Sequence, residues 1–232
     1  FRSHTVPGLC YLTPYKEYKD NGIARVLNFA GLVPPEQSRF FNWSKPFVQL
    51  ETTRGCFNTC AFCVSGGEKP VRTLSIESIR RRLQLIHAHG IKNVRVLDRT
   101  FNYNPRRAKE LLRLFLEFHP DIRFHLEIHP ALLSEELKEE LSLLPKGLLH
   151  LEAGIQSLRE PVLEKSRRMG KLSDALDGLR FLCALPNMET HADLIAGLPL
   201  YHLHEIFEDV RTLAEYAAGE IQLESLKQIG RA

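Results

Sequence analysis

Three of the chain's five cysteines fall within eight positions, as Cys56, Cys60 and Cys63 in "ETTRGCFNTCAFC". Disulfide stapling belongs to small secreted domains, and a chain of 232 residues is long enough to bury a core without it. A closed structural zinc site needs four ligands, and no histidine stands in or just after this loop to complete one. Three thiolates from one short loop suit a cubane [4Fe–4S] cluster whose remaining iron has no protein ligand. An open metal position normally means chemistry at that position. A non-catalytic iron–sulfur, zinc or redox-thiol module is the competing reading. Cys10 and Cys183 stand alone and read as inert, Cys183 because "LRFLCAL" looks like a buried helix end.

The elements that must position this loop begin at Pro46. Short β-like runs at 47–52, 93–98, 123–128, 148–155, 190–197 and 220–225 alternate with segments of helical period. Ile76, Ile79, Leu83 and Ile86 form one apolar stripe. Asn104 caps a second helix with Pro105 at its first position, and Ser134 starts another with acidic residues in its first turn. Six strand-then-helix units in series mean parallel strands joined by right-handed crossovers. The expected fold is α/β, a partial (β/α)6 TIM-like barrel over residues 47–232. The cysteines would then sit at the carboxyl end of the first strand, where such barrels build their sites.

The strand texture adds a face. Phe124, Leu126 and Ile128 alternate with His125, Glu127 and His129, and Leu149 and Leu151 alternate with His150 and Glu152. Val48 and Leu50 alternate with Gln49 and Glu51 in the same way, as Ile221 and Leu223 do with Gln222 and Glu224. Helices must cover the apolar face, so Glu51, Glu127, Glu152 and Glu224 are expected to line a polar lumen that holds a ligand. His125, His129, His150 and His191 are candidates for the same lumen. A sheet with one face open to water is the alternative. Arg95 breaks the pattern.

Residues 1–46 are rich in proline, glycine and aromatics and are expected to be an irregular linker or cover segment, with one short strand near "IARVLNF". The chain is 44% hydrophobic and 25% charged, with a net charge of +3, and lacks any apolar stretch of membrane-spanning length or a signal-peptide core. A cytoplasmic setting is expected, with no membrane partner. The charge is too mild to argue for a nucleic-acid partner. Phe rather than Met at position 1 suggests a longer parent polypeptide.

The cysteine spacing, with aromatic Phe62 before the last cysteine and the βα series behind it, resembles the radical S-adenosylmethionine superfamily over about residues 46–226. "GIQS" after the fourth strand and "DLIAGLP" in the fifth resemble its coproporphyrinogen oxidase-like and cobalamin-dependent branches. The whole run is most similar to uncharacterised radical proteins in which a linker like residues 1–46 joins an N-terminal cobalamin-binding domain.

That resemblance implies an open iron that binds the amino and carboxylate groups of S-adenosylmethionine. One electron from a donor then cleaves the cofactor to a 5′-deoxyadenosyl radical, which takes a hydrogen atom from a small-molecule or peptide substrate. It implies Phe62 near the adenine, Gln156 and Asp193 on the ribose, and Glu152 as a second ribose or amino-group contact. Arg168, or its neighbour Arg167, would meet the carboxylate. The family's glycine-glycine-glutamate motif belongs at the end of strand two, so "SGGEKP" reads as a flexible turn leaving the loop. "LDRTFN" takes the motif's place, with Asp98, Arg99 and Thr100 ending strand two and Asp98 and Thr100 as contacts. Gly197 reads either as a close approach to the cofactor or as a strand-ending turn. An adjoining cobalamin domain would point to methylation or rearrangement, and an RNA-modifying methylthiotransferase is a further alternative. The sequence ends soon after the sixth strand, so elements closing that side of the barrel are expected to lie outside it.

Overall fold

The structure is a computed structural model that describes residues 3–24, 28–66, 68–216 and 218–227. Of the expected strand near "IARVLNF", residues 25–27 lie outside these; Ile23, Ala24 and Asn28 are in no strand, and Phe29 opens a short 3₁₀ helix, Phe29–Gly31. Two compact units divide at Leu32/Val33. In the first, Cys10–Leu12 pairs antiparallel with Tyr18–Asp20, and Thr13 closes the hairpin by donating its N–H to the Glu17 carbonyl at 2.9 Å.

The second unit is built on six strands, β1 Val48–Leu50, β2 Asn93–Val96, β3 Arg123–Ile128, β4 Leu149–Gln156, β5 Glu189–Ala196 and β6 Glu220–Ser225. All neighbours are parallel, and the spatial order follows the chain order from β1 to β6. This is the expected partial barrel, because each crossover returns the chain beside the strand it has just left. Its helices are α1 Ile76–Ala88, α2 Pro105–Leu116, α3 Glu135–Leu143, α4 Glu160–Lys165, α5 Leu172–Ala184 and α6 Leu203–Glu215. Asn104 and Ser134 cap α2 and α3 by accepting from the N–H groups of Arg107 and Leu137. None of the described helices is long and apolar enough to cross a membrane.

Burial follows the alternation. Along β3 and β4 every second residue is fully buried and the residues between them are half-buried. The buried face meets the helices, as where Phe124 stacks on Phe115 of α2 with centroids 4.1 Å apart. Strand β5 departs from the pattern, for Thr190 to Leu194 are buried on both faces. β6 is an edge strand with Glu224 exposed. Arg95 is exposed too, and its guanidinium lies 4.3 Å over the Phe47 ring, a cation–π contact that accounts for it.

Residues 33–46 pack into this second unit. Glu36, 3% exposed, pairs with Arg82 of α1 at 2.6 Å, and Arg82 also donates to the Glu51 carbonyl at 3.1 Å. Glu36→Ala would strand a buried guanidinium and should cost about 3–5 kcal/mol, read as a lower urea midpoint. A loss under about 1 kcal/mol would mean that the pair is dispensable.

Candidate functional site

Beyond β1 the chain does not run straight into a helix. Thr53–Arg54 pairs antiparallel with Arg72–Thr73, so the cysteine loop leaves and re-enters the barrel rim through a two-residue stem. This is why β1 is shorter than the expected 47–52. Asp98, 1% exposed, fixes the stem: its Oδ1 accepts the N–H groups of Thr52 and Thr53, each at 2.8 Å, and its Oδ2 meets the Thr52 hydroxyl. Burial raises the Asp98 pKa against these hydrogen bonds. With its oxygens so engaged, Asp98 does not line the cavity, contrary to the sequence expectation.

The loop is tightly wound. Cys56 N–H donates to the Glu68 carbonyl at 3.1 Å, Cys63 N–H to Cys60 O at 3.2 Å and Gly66 N–H to Cys63 O at 3.0 Å. A Cβ on Gly66 would lie 2.6 Å from Cys60 O, so backbone packing demands glycine there. In "SGGEKP", Gly67 lies outside the described residues, and Gly66 is a packed turn position rather than part of a flexible exit. Gly66→Ala should add about 1–3 kcal/mol of local strain, lowering the iron retained after reconstitution with far-UV circular dichroism unchanged. Iron retention equal to the parent's would show that the turn adapts.

A second segment clamps the loop from the side. Ala61 N–H donates to Ser166 O at 2.8 Å, and Met169 N–H to the buried Asn58 Oδ1 at 3.4 Å. This segment follows α4 and carries both candidate arginines. Arg167 has φ of 56° and points to solvent, whereas Arg168 donates to the Gly154 carbonyl and lies beside Cys60. The backbone thus chooses between them.

Cys56 and Cys60 are buried, Cys63 is half-buried, and all three are free thiols. Burial raises the Cys60 pKa, the Arg168 guanidinium opposes that rise, and the nearby Cys63 and Cys56 thiols add to it. Both other thiols thus act on Cys60, and the Cys56 sulfur is 4.0 Å from the Thr100 hydroxyl. Three soft donors converging beside one cation fit the expected iron–sulfur cluster, since the bound anionic assembly would find a counter-charge in place.

Beside them opens a small polar pocket of about 70 Å³, part-open to solvent. Arg99, Thr100, Glu127, Ile128 and His129 line it from the ends of β2 and β3. Glu152, Gly154 and Gln156 of β4, Arg168, and Asp193 of β5 complete it. Thr100, Glu152, Gln156, Arg168 and Asp193 are therefore gathered as the sequence suggested. Gln156 adopts φ of 74° at a bulge between β4 and β5, which turns its side chain toward the rim.

Other expected residues lie elsewhere. Phe62 packs against the cluster of Val162, Leu198, Tyr201 and Ile206 at the rim. Gly197, just past the end of β5, has φ of 91°, and its nearest would-be Cβ contact is Leu226 at 3.4 Å. Of the four glutamates, Glu127 and Glu152 line the cavity, Glu51 pairs with Arg54 at 2.6 Å, and Glu224 sits on the edge strand.

The lining carboxyls are unequal. Burial, the Glu152 charge and its hydrogen bond, and the Glu127 and Glu224 charges push Asp193 up to about 9, so it carries a proton at neutral pH. Glu127 is raised to about 7 by burial and by Glu152, with Arg99 opposing. Burial alone would raise Glu152, but the His125 hydrogen bond at 2.8 Å and the nearby His191 and Asp193 hold it well below the ordinary carboxylate range. His129 is depressed to about 3 by burial and by Arg168, and so is neutral.

Sequence reasoning missed the residues that act through backbone. Asn102, 1% exposed, donates to His129 O at 2.9 Å and accepts its N–H at 2.8 Å, fixing the end of β3. Asp209 accepts from Tyr201 Oη at 2.6 Å, Leu158 N–H at 2.8 Å and Arg159 Nε at 2.9 Å, tying the "GIQS" corner to α6. An asparagine in a loop and an aspartate on an amphipathic helix carry no signal that separates them from solvated ones.

The ribosomal protein uS12 methylthiotransferase RimO of Moorella thermoacetica is 28% identical over 190 residues, which is 75% of this chain and 43% of that protein. Among solved structures, TsrM from Kitasatospora setae, a radical S-adenosylmethionine methyltransferase with cobalamin and a [4Fe–4S] cluster bound, aligns with a TM-score of 0.65 at 20% identity. It covers 77% of this chain and 36% of that one. The cobalamin-dependent S-adenosylmethionine radical enzyme OxsB gives the same TM-score and identity over 92% of this chain and 33% of its own. The chain thus spans less than half the length of each of these. The Radical SAM superfamily matches residues 50–213, which takes in β2 to β5, the cysteine loop and all but the end of α6. On that match the chain belongs to the Radical SAM superfamily.

Proposed function

We propose that this chain is the core of a radical enzyme in which Cys56, Cys60 and Cys63 hold an open-site [4Fe–4S] cluster and the adjoining cavity holds S-adenosylmethionine. The observation that carries it is three free thiols on one loop at the barrel rim, with Arg168 beside Cys60 and also lining the adjoining cavity. When bound, the cluster supplies the electron that cleaves the sulfonium, leaving an adenosyl radical to act on substrate.

The chain's own residues bind, orient and exclude water. Arg168 offers a fixed guanidinium to the methionine carboxylate, with its planar fork suited to that anion. Gln156 and protonated Asp193 serve the ribose hydroxyls, Thr100 and Glu152 serve the amino group or ribose, and Phe62 and Gly197 stand at the rim toward the adenine. Asp98 supports the stem instead of the cofactor. A closed barrel mouth would keep solvent from a reactive centre.

A cobalamin-dependent methylation is the reaction we favour, through an adjoining domain to which residues 1–46 lead. The fold likeness to TsrM and OxsB supports it. Methylthiotransfer is the second reading, favoured by the likeness to RimO. The electron donor, a small-molecule or peptide substrate and a cytoplasmic setting complete the proposal. Anaerobic reconstitution of the full-length protein with S-adenosylmethionine and dithionite should yield 5′-deoxyadenosine or S-adenosylhomocysteine, dependent on all three cysteines. Neither product forming would overturn the catalytic reading. One bound cobalamin favours the first reaction, and a product that gains a methylthio group in place of a methyl group favours the second.

A further inference from the structure

Away from the cysteine rim, on the amino-terminal side of the cavity, the lumen holds a second constellation. The parallel register sets Glu152 beside His191 on β5 and His125 beside His150 across β3 and β4. One donor atom from each of His125, Glu152 and His191 lies within 4.8 Å of the other two. His125 Nε2 is 2.8 Å and His191 Nε2 is 3.7 Å from Glu152 Oε2. Metal–ligand bonds of about 2.0–2.2 Å place neighbouring donors of a tetrahedral ion roughly 3–3.5 Å apart, so small rotamer adjustments would close these three around one ion.

Two further observations favour a ligand here over a closed hydrogen-bond cluster. His191 is 4% exposed, yet its Nε2 has no hydrogen-bond partner among the described residues, and neither has Asp193 Oδ1, 3.4 Å away. Buried polar atoms are ordinarily satisfied, and two facing one gap point to a missing group. On the other side of the ring, His191 Nδ1 is 2.7 Å from His150 Nε2. If His191 donates its Nδ1–H there, its Nε2 lone pair points into the gap, which is the outer-shell arrangement that metal-bound histidines commonly have.

We propose that His125, Glu152 and His191 form a binding site for a divalent first-row transition-metal ion, with Asp193 as a fourth candidate ligand and His150 as the outer partner of His191. Two imidazoles and a carboxylate select zinc, iron(II) or cobalt(II) over magnesium or calcium. Three protein ligands leave a position open toward the cavity for water or for an oxygen or nitrogen donor of a substrate. The site is separate from the thiolate cluster but shares Glu152 and Asp193 with the cavity proposed for the cofactor, so an ion bound there would take those two residues from it.

The test uses the full chain with Cys56, Cys60 and Cys63 all replaced by serine, so that no thiolate competes. Calorimetric titration with Co²⁺ should show one equivalent bound, together with the d–d absorbance of a nitrogen- and oxygen-ligated ion. His191→Ala should abolish that binding, and Glu152→Gln and His125→Gln should each weaken it at least ~10-fold. If His191→Ala fails to fold by circular dichroism, the near-isosteric Glu152→Gln decides. Absence of Co²⁺ binding, or binding that these substitutions leave unchanged, overturns the proposal.

Discussion

Cys60→Ala should strip the reconstituted protein of its iron, its sulfide and its broad visible absorbance, while Cys183→Ala should leave all three unchanged. The two thiols differ in what surrounds them. Cys183 is a half-buried residue in the last turn of α5, and only burial acts on its pKa. Cys60 is 7% exposed and sits among Arg168, Cys63 and Cys56. With one of three thiolates gone, two ligands from one loop cannot hold a cubane against exchange with solvent thiols. Cleavage of S-adenosylmethionine should vanish with the absorbance. A Cys60→Ala protein that kept its spectrum would remove the basis for the whole site.

The second large effect concerns the adjacent arginines. Arg168→Met should weaken S-adenosylmethionine binding to the cluster-loaded protein by about 10- to 100-fold, the range expected for losing a hydrogen bond to a charged group of about 1.5–3 kcal/mol. Arg167→Ala should change it less than about 2-fold, because that side chain faces solvent from a left-handed backbone. Arg168 also donates to the Gly154 carbonyl, so a purely structural role has to be separated. Arg168→Lys keeps the charge but not the planar fork, and should fall between the two in affinity with the iron content unchanged. Equal losses at Arg167 and Arg168, or a loss of iron with Arg168→Met, would assign the residue to the loop's architecture instead.

What the sequence disclosed about this fold was whatever repeats. Phe124, Leu126 and Ile128 alternate with polar residues, and the same period recurs in β4, so strand positions and the lumen face were readable from pattern alone. Asn104 and Ser134 announced the starts of α2 and α3 because capping chemistry is local. Asp98 misled for the opposite reason. Its partners, Thr52 and Thr53, are about 45 positions away, and a carboxylate at a strand end looks the same whether it meets a cofactor or a backbone N–H. Glu51 and Glu224 misled because alternation gives the face of a strand but not its depth, and both strands stand at the edges of the sheet. The choice of Arg168 over Arg167 depended on a single positive φ, which no side-chain pattern encodes.

The proposed site requires one iron of the cluster to have no protein ligand and to face the S-adenosylmethionine cavity. Mössbauer spectroscopy of the ⁵⁷Fe-reconstituted protein, recorded with and without S-adenosylmethionine, reads out that iron. About one quarter of the iron signal should move to a higher isomer shift on addition of the cofactor, as a site gaining nitrogen and oxygen ligands should, while the rest stays in place. A spectrum that S-adenosylmethionine leaves unchanged, in protein carrying a full complement of iron, would contradict it.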